Sequence, residues 1–158
     1  MKKEIITLLF AMTPIFELRG SMPYGLISGI EFPKVLLLSL VGNFLPVIPL
    51  YFFLQKVLNF LNRFHFGRKF SVWLITRTKK KSKIVEKYQT VGLLVFVGIP
   101  LPGTGAWTGT VAAVLLKLTF RDFIIGVTGG ILLASGIVSG VWFTGSHILK
   151  TIFLSFGK

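Results

Sequence analysis

The feature that most constrains the fold of this chain is a pair of apolar segments, each interrupted by proline and glycine near its middle. The first covers residues 5–30 and contains Pro14 and Pro23, and the second covers residues 90–116 and contains Pro102. Backbone that leaves the helix at membrane depth is tolerated only where protein or a water-filled cavity satisfies its amides. A matched pair of such segments, one in each half, is typical of the binding site of a secondary transporter.

The composition places the chain in a membrane. Of its 158 residues 53% are hydrophobic, with a mean hydropathy of +0.77, whereas soluble domains are about 45 to 50% apolar. A cleaved signal peptide is not expected, because the first apolar run contains Glu17 and Arg19 and no small-residue cleavage site precedes them. We therefore predict an integral membrane protein that keeps its first segment.

Basic residues are concentrated in a connector, residues 55–87, between the two halves. The net charge is +13, and the connector places basic residues among apolar side chains at helical spacing: Lys56, Arg63, Arg68, Lys69, Arg77, Lys79, Lys80, Lys81, Lys83 and Lys87. This pattern predicts an amphipathic interfacial helix that is cytoplasmic and binds anionic lipid headgroups. Nucleic-acid binding is the rival interpretation, and we disfavour it because the charge is confined to one connector.

Two further apolar stretches are long enough to cross a bilayer as helices. The first is residues 35–54, which Pro46 and Pro49 are expected to kink, and the second is residues 120–142, which is rich in small residues. Small residues let helices approach closely in lipid, so we expect a homodimer or larger oligomer through the face from Gly126 to Gly140. Residues 145–158 either prolong the second span or lie on the membrane surface.

An internal repeat relates the two halves. A shift of 88 positions superposes them without a gap and carries Phe32 onto Phe120 and Gly42 onto Gly130. We predict a single all-α membrane domain with repeat 1 in residues 1–54, the connector in 55–87, repeat 2 in 88–144 and a tail in 145–158. Each repeat contains a re-entrant helical hairpin and one transmembrane span, which makes the pair an inverted repeat. The alternative is that residues 5–30 cross completely, which removes the inversion.

Glu17 and Arg19 are charged residues inside an apolar segment, where each charge costs about 2.5 kcal/mol even by the lower estimates. One interpretation is a structural ion pair that ties the hairpin to another element. A direct contact between the two requires unwound backbone, since positions two apart on a helix face different directions. The functional interpretation is that Arg19 presents its planar fork of donors to a phosphate or carboxylate, while Glu17 binds and releases a proton.

The second break contains no charged residue, and its backbone amides are the groups that could bind a ligand. Its glycines let amides point at a ligand, and a helix that starts near Ala106 presents a positive dipole end to an anion. The alternative is that glycine and threonine only pack a tight hairpin, with Trp107 as its anchor. Asn43, in the first span, is a weaker candidate, because intramembrane asparagine more commonly joins two helices. The candidate substrate- or ion-binding residues are Pro14, Glu17, Arg19, Gly20, Pro23, Asn43, Pro102, Gly103, Thr104, Gly105, Trp107 and Thr108.

The sequence disfavours catalysis. It contains no cysteine, which excludes disulfides and thiolate chemistry. His65 and His147 lack carboxylate or histidine neighbours at ligand spacing, and no Ser, His and Asp set suggests hydrolysis. We predict that the chain is not an enzyme and has no metal site and no cofactor.

The two broken segments resemble the motifs of a bacterial family. Pro14-Ile15-Phe16-Glu17-Leu18-Arg19-Gly20-Ser21-Met22-Pro23 and Pro100-Leu101-Pro102-Gly103-Thr104-Gly105-Ala106-Trp107-Thr108-Gly109 resemble the small multi-drug export protein family, which is in turn similar to the DedA and VTT superfamily. The resemblance covers nearly the whole chain. It implies two opposed re-entrant hairpins in the bacterial inner membrane, with Glu17, Arg19, Gly103, Thr104 and Gly105 as functional positions. DedA relatives are linked to flipping polyprenyl-phosphate lipid carriers and to proton-dependent transport, but this chain lacks their second pair of intramembrane arginines.

Three functions are compatible with these features. The first is ion-coupled translocation of an anionic amphiphile, such as a lipid-carrier phosphate. The second is proton-coupled export of cationic drugs, with Glu17 alternating between proton and drug. The third is a non-transporting membrane scaffold. The expected partners are membrane lipids, the small amphiphilic substrate and a second copy of the chain, with no nucleic acid.

Overall fold

The structure is a computed structural model and describes residues 1–61, 83–101 and 103–156. These ranges contain helices and no strand, which confirms the predicted all-α class. The helices are α1 (Lys2–Met12), α2 (Glu17–Ile27), α3 (Phe32–Phe44), α4 (Val47–Leu61), α5 (Lys83–Gly98), α6 (Ala106–Leu115) and α7 (Phe120–Phe156). Residues 62–82, which form most of the predicted connector, lie outside the described residues, and so does Pro102.

Two helical stretches are long and apolar enough to cross a membrane, Phe32–Val57 and Phe120–Gly145, each of 26 residues. Their outward faces are apolar, since Leu37 is 62% and Val141 is 68% exposed. Polar groups are buried instead: the Ser21 hydroxyl donates to Ser39 Oγ at 2.8 Å. An apolar exterior around buried hydrogen bonds is the arrangement that a lipid environment favours.

In the first half, α1, α2 and α3 pack against one another and alternate in direction. The ion pair between Glu4 and Lys34, at 2.6 Å, joins the starts of α1 and α3, so these helices run in the same direction and α2 returns between them. Gly42 sits against α1, where an added Cβ would lie 2.7 Å from the Leu8 carbonyl oxygen. The missing side chain therefore sets how closely α3 approaches α1.

The second half repeats this plan with α5, α6 and α7. The Thr90 hydroxyl donates to Asp122 Oδ1 at 2.5 Å, which joins the first turn of α7 to α5 near the kink at Gln89. Glycines of α7 allow the close packing of these helices, since added Cβ atoms would collide with α5; they are Gly126, Gly129 and Gly130. This part of the predicted dimer face is therefore occupied within the chain, whereas Gly136 and Gly140 adjoin open space. The homodimer stays a prediction.

The shift of 88 residues relates backbone features as well as residue types. Helix α2 ends at Ile27 and α6 at Leu115, while α3 begins at Phe32 and α7 at Phe120. Each pair of numbers differs by the shift found in the sequence. This agreement supports the internal repeat, while the re-entrant course of the hairpins and the inversion across a bilayer stay predictions.

The turn that ends each hairpin recurs atom for atom at the same shift. The Ile30 N–H donates to the Gly25 carbonyl at 3.1 Å, and the Leu118 N–H donates to the Ala113 carbonyl at 2.9 Å. This six-residue bond is one half of a Schellman cap, which needs a left-handed residue just past the helix end. Gly29 supplies it in the first half with φ 73°, and its counterpart Lys117 in the second with φ 57°.

Two expectations for the spans are settled by the helix bounds. Helix α3 ends at Phe44 and α4 begins at Val47, so the helix of the first span is interrupted at Leu45 and Pro46, where a kink was predicted. Pro49 lies in the first turn of α4, where its missing N–H leaves no helical bond unmade. Helix α7 continues to Phe156, so the tail prolongs the helix of the second span, whose membrane-spanning stretch ends at Gly145.

Candidate functional site

The first break is a strained turn that ends at a buried acid. The helix stops after Met12, and the Thr13 hydroxyl donates to the Phe10 carbonyl at 2.8 Å. Helix α2 then starts at Glu17, which has φ 47° and is 6% exposed. A left-handed backbone at a residue other than glycine is uncommon and persists where its surroundings fix it, often at binding or switching sites.

The Glu17 carboxylate caps a helix of the other half. Its Oε1 accepts the backbone N–H of Trp107 at 3.0 Å, in the first turn of α6, which begins at Ala106. The first N–H groups of a helix lack helical partners and carry a partial positive charge. The sequence predicted an anion at this helix start, and in the structure that anion is Glu17.

Gly105 makes this approach possible. It precedes α6 with φ 144°, and a Cβ at this position would collide with the Glu17 carboxylate. Its backbone conformation is also one that L side chains rarely adopt. Glycine at 105 and glutamate at 17 are therefore complementary, and the 88-residue shift makes them equivalent positions of the repeat.

Arg19 binds the second break from the same helix. Its Nη1 donates to the Leu101 carbonyl at 2.7 Å, and its Nη2 donates to the Ile99 carbonyl and to Thr104 Oγ1, each at 3.1 Å. These carbonyls belong to backbone that has left α5, which ends at Gly98. One guanidinium thus replaces several helical hydrogen bonds that the break removes.

Thr104 holds the same turn from within. Its hydroxyl lies 2.8 Å from the Ile99 carbonyl and 2.9 Å from the Leu101 carbonyl, and it accepts the Leu101 N–H at 3.2 Å. A hydroxyl carries one proton, so it donates to one carbonyl at a time and accepts from Arg19. The arrangement fixes the guanidinium relative to the second break.

Glu17 and Arg19 do not pair with each other. Within the described part of the chain, no carboxylate oxygen lies within the 4.0 Å ion-pair distance of the Arg19 guanidinium. The two side chains therefore form no direct ion pair, and each instead bonds separately to the second break. The positive charge of Arg19 is solvated by carbonyl dipoles and a hydroxyl, with no neutralising carboxylate in contact.

A cavity of about 470 Å³ adjoins Arg19. Its wall is otherwise apolar and consists of Pro23 on α2, Pro100 at the second break, and residues of α7: Ile137, Val138, Val141, Trp142 and Gly145. Cavities of this size are common for small ligands. The arrangement places one cationic fork at the edge of an apolar compartment.

The remaining candidates are distributed around this centre. Pro14 lies in the turn before α2, and Gly20 lies against Phe16, which a Cβ at Gly20 would meet at 2.8 Å. The Thr108 hydroxyl donates within its own turn to the Gly105 carbonyl at 3.3 Å, and Gly103 is exposed with φ 80°. The structure therefore brings Glu17, Arg19, Pro23, Thr104, Gly105 and Trp107 together around the junction of the two breaks.

Asn43 is separate from that junction in its bonding. It is 3% exposed on α3, and its Oδ1 is buried without a hydrogen-bond partner. The Trp107 indole Nε1 is likewise buried without a partner. Buried polar atoms without a hydrogen-bond partner are rare, so both residues stay candidates for a functional role.

The α7 side of the cavity was not predicted. Trp142 and Val141 were assigned only to a span, because an apolar residue facing a cavity has the same sequence pattern as one facing lipid. No group of three His, Asp or Glu residues suited to a metal occurs in the part of the chain that the structure describes.

Helices of membrane-spanning length with an apolar exterior define the class of this chain as a helical integral membrane protein. A family described as "Putative small multi-drug export protein" matches residues 17–137, and the chain belongs to this family. The match begins at Glu17, where the first break ends, and it includes the second break. No curated protein and no solved structure matches the chain.

Proposed function

We propose that this protein is an ion-coupled membrane transporter of an anionic amphiphile, with Arg19 as the residue that binds the anionic group. The observation that carries the proposal is the Arg19 guanidinium at the edge of an apolar cavity of about 470 Å³ with no carboxylate in contact among the described residues. Carbonyl dipoles and a hydroxyl solvate this charge without neutralising it, so an anion at the guanidinium would gain a charge-assisted interaction.

The unused donors of Arg19 define the ligand head. A guanidinium has five N–H donors, and three hydrogen bonds hold Arg19 to the second break. Both N–H groups of Nη2 are used in these bonds, so one N–H of Nη1 and that of Nε are left, and each can donate a charge-assisted hydrogen bond to a phosphate or carboxylate. A lipid-carrier phosphate in the bacterial inner membrane is one substrate of this chemistry.

The apolar wall defines the ligand tail. Val141 and Trp142 of α7 face the same cavity as Arg19, so an alkyl or prenyl chain placed along α7 would leave its head at the guanidinium. Burial of that chain supplies about 0.8 kcal/mol per CH₂ relative to water. The site therefore favours an amphiphile over a small inorganic anion.

In this proposal Glu17 couples transport to the uptake and release of a proton. Its carboxylate contributes to holding α6 against the first break, and protonation removes the charge that interacts with the helix dipole. Proton uptake would loosen the junction between the two predicted inverted repeats, and proton release would restore it. The re-entrant hairpins would then rearrange around a site near the bilayer midplane, as in other inverted-repeat transporters.

Export of cationic drugs is the second candidate, since the family description names multi-drug export. It requires a carboxylate facing the cavity. Glu17 accepts the Trp107 amide instead and is not a lining residue, and the charged group at the wall is cationic. The geometry therefore favours an anion.

Binding to purified protein in nanodiscs separates the candidates. Amphiphiles with one brominated chain and a phosphate, a neutral alcohol or a quaternary ammonium head would quench Trp142, with Trp142→Phe as the control for the other tryptophans. We expect the phosphate to quench at the lowest concentration, and Arg19→Ala to weaken it at least about tenfold, the effect of losing a charge-assisted hydrogen bond. Preference for the ammonium head would contradict the proposal and support drug export; equal quenching by all three heads would favour a scaffold.

A further inference from the structure

The helices α2 and α3 have a regular antiparallel register that ends at two functional candidates. A Cβ at Gly25 would meet Val35 at 2.8 Å, and Ser21 bonds Ser39 at 2.8 Å. Each step moves four residues back along α2 and four forward along α3, one helical turn on each. The next step brings residues 17 and 43 to the same level on the facing sides of the two helices.

Asn43 offers at this level a group with no partner. Its Oδ1 is a buried acceptor without a donor, in a residue that is 3% exposed. An unsatisfied buried acceptor costs about 1 to 3 kcal/mol. A native structure keeps such an atom where a water, an ion or a second state of a neighbour satisfies it.

In its protonated state, Glu17 requires a hydrogen-bond acceptor. As a carboxylate it accepts the Trp107 N–H, and the start of α6 provides only amide donors. A protonated carboxyl has an O–H that must donate, and these amides cannot accept it. The acceptor missing at α6 is therefore present on α3.

We infer that Asn43 Oδ1 accepts the hydrogen bond of the protonated Glu17 carboxyl, so that Asn43 is the positioning residue for the proton-carrying state of the transporter. The inference rests on the proposed proton-coupled transport and adds the acceptor that binds the protonated carboxyl. Deprotonated Glu17 caps α6 in the second half, and protonated Glu17 turns to α3 in its own half. One proton thus decides to which half the side chain is bonded.

The charged surroundings of Glu17 are simple. Arg19 is the charged group that acts on it electrostatically. On the elements packed against α2, the titratable residues lie toward the helix ends: Lys2, Lys3 and Glu4 on α1, Lys34 on α3, and Arg121, Asp122, His147 and Lys150 on α7. Residues 106–115 of α6 include none. At the level of residues 17 and 43, Glu17 is therefore the group expected to titrate, with Arg19 as its charged neighbour.

Nuclear magnetic resonance of the full chain in nanodiscs tests the inference without a substrate. Asparagine labelled with ¹³C at Cγ and glutamate labelled at Cδ would be followed from about pH 4 to pH 9, spanning the range in which proteins shift a carboxyl. The Asn43 signal is assigned by its loss in Asn43→Leu, and the Glu17 signal by its loss in Glu17→Gln. We expect both signals to titrate with one midpoint in the unmodified protein, and the Asn43 signal to become independent of pH in Glu17→Gln.

Three variants test the same hydrogen bond between Glu17 and Asn43. In Asn43→Leu the Glu17 midpoint should move to lower pH by about half a unit to one unit, the equivalent of one net hydrogen bond. Ser39→Ala, one turn away on the same face, should leave it unchanged. Trp107→Phe removes the other unpartnered atom and should leave the Asn43 titration intact.

Three results would overturn the inference. They are an Asn43 signal that does not move with pH in the unmodified protein, an unchanged Glu17 midpoint in Asn43→Leu, and movement of both signals with sodium at fixed pH, which would assign a metal cation instead. These results are independent of the Arg19 binding experiment, so failure of the transport proposal and failure of this inference are distinguishable.

Discussion

The carboxylate of Glu17, in the first half of the chain, accepts the backbone N–H of Trp107 at 3.0 Å in the second half. A side chain from one repeat thus caps a helix of the other. Arg19 makes a parallel connection, from the same helix to the Leu101 carbonyl at 2.7 Å. Together the two side chains join the breaks that interrupt the apolar segments, and this junction determines most of the predictions below.

Removal of the Glu17 cap should destabilise the protein. We expect Glu17→Ala to lower the free energy of unfolding by about 1 to 2 kcal/mol, because α6 loses both a capping acceptor and a favourable charge. Glu17→Gln keeps an oxygen acceptor and should lose about half as much. Reversible unfolding in mixed micelles by titration with sodium dodecyl sulfate measures both. Equal stability of the alanine variant and the unmodified protein would show that the cap is not stabilising.

Gly105→Ala should be more damaging than its small size suggests. The new methyl group would collide with the Glu17 carboxylate, in a backbone conformation with φ 144°, and we expect a loss of about 2 to 4 kcal/mol from the clash and the strain combined. Gly136→Ala is the matched control, since its Cβ would meet open space inside a helix and should be neutral or slightly stabilising. Similar unfolding curves for the two variants would contradict the packing described at Gly105.

Because the Schellman turn occurs in both halves, substitutions at its two left-handed positions should change the stability in opposite directions. Lys117→Gly places at φ 57° the residue found at the equivalent position 29, and should stabilise the protein by up to about 1 kcal/mol. Gly29→Ala should destabilise it by a similar amount. A destabilising Lys117→Gly would mean that the lysine side chain contributes more than its backbone strain costs.

Acid should weaken the contact between α1 and α3. The hydrogen bond from Lys34 to Glu4, at 2.6 Å, holds the pKa of Glu4 below its ordinary value of 4.5. A carboxyl whose pKa is lower in the folded state stabilises above its unfolded pKa, and this contribution is lost as the pH falls through the folded pKa. The difference in melting temperature between the unmodified protein and Glu4→Gln should therefore narrow between about pH 5 and pH 3. A constant difference across that range would contradict the contribution of the pair.

The sequence predicted the elements better than their contacts. Proline and glycine located both breaks, and the 88-residue shift matched residues whose helix bounds and turns also coincide, such as Phe32 and Phe120. These features are local, and local sequence determines them. That Arg19 would bind the Ile99 carbonyl, 80 residues away, depends on how the halves pack, which no periodicity encodes.

The candidate site was predicted by residue type and missed in two respects. A ligand anion was expected at the start of α6, and the structure places Glu17 there. The apolar wall contributed by Val141 and Trp142 could not be distinguished from a lipid-facing surface. Charged residues in an apolar segment are conspicuous in a sequence, whereas the cavity beside them is formed only by tertiary packing.

Flux into proteoliposomes tests directly whether Arg19 binds the anionic group of a translocated amphiphile. A fluorescent single-chain phosphate amphiphile would be added outside vesicles that contain the unmodified protein, Arg19→Ala, or Arg121→Ala, which removes an exposed arginine at the start of α7. We expect flux above protein-free vesicles for the unmodified protein and Arg121→Ala, and a decrease of at least about tenfold in Arg19→Ala. Undiminished flux in a correctly inserted Arg19→Ala protein, or none above protein-free vesicles in the unmodified protein, would contradict this expectation.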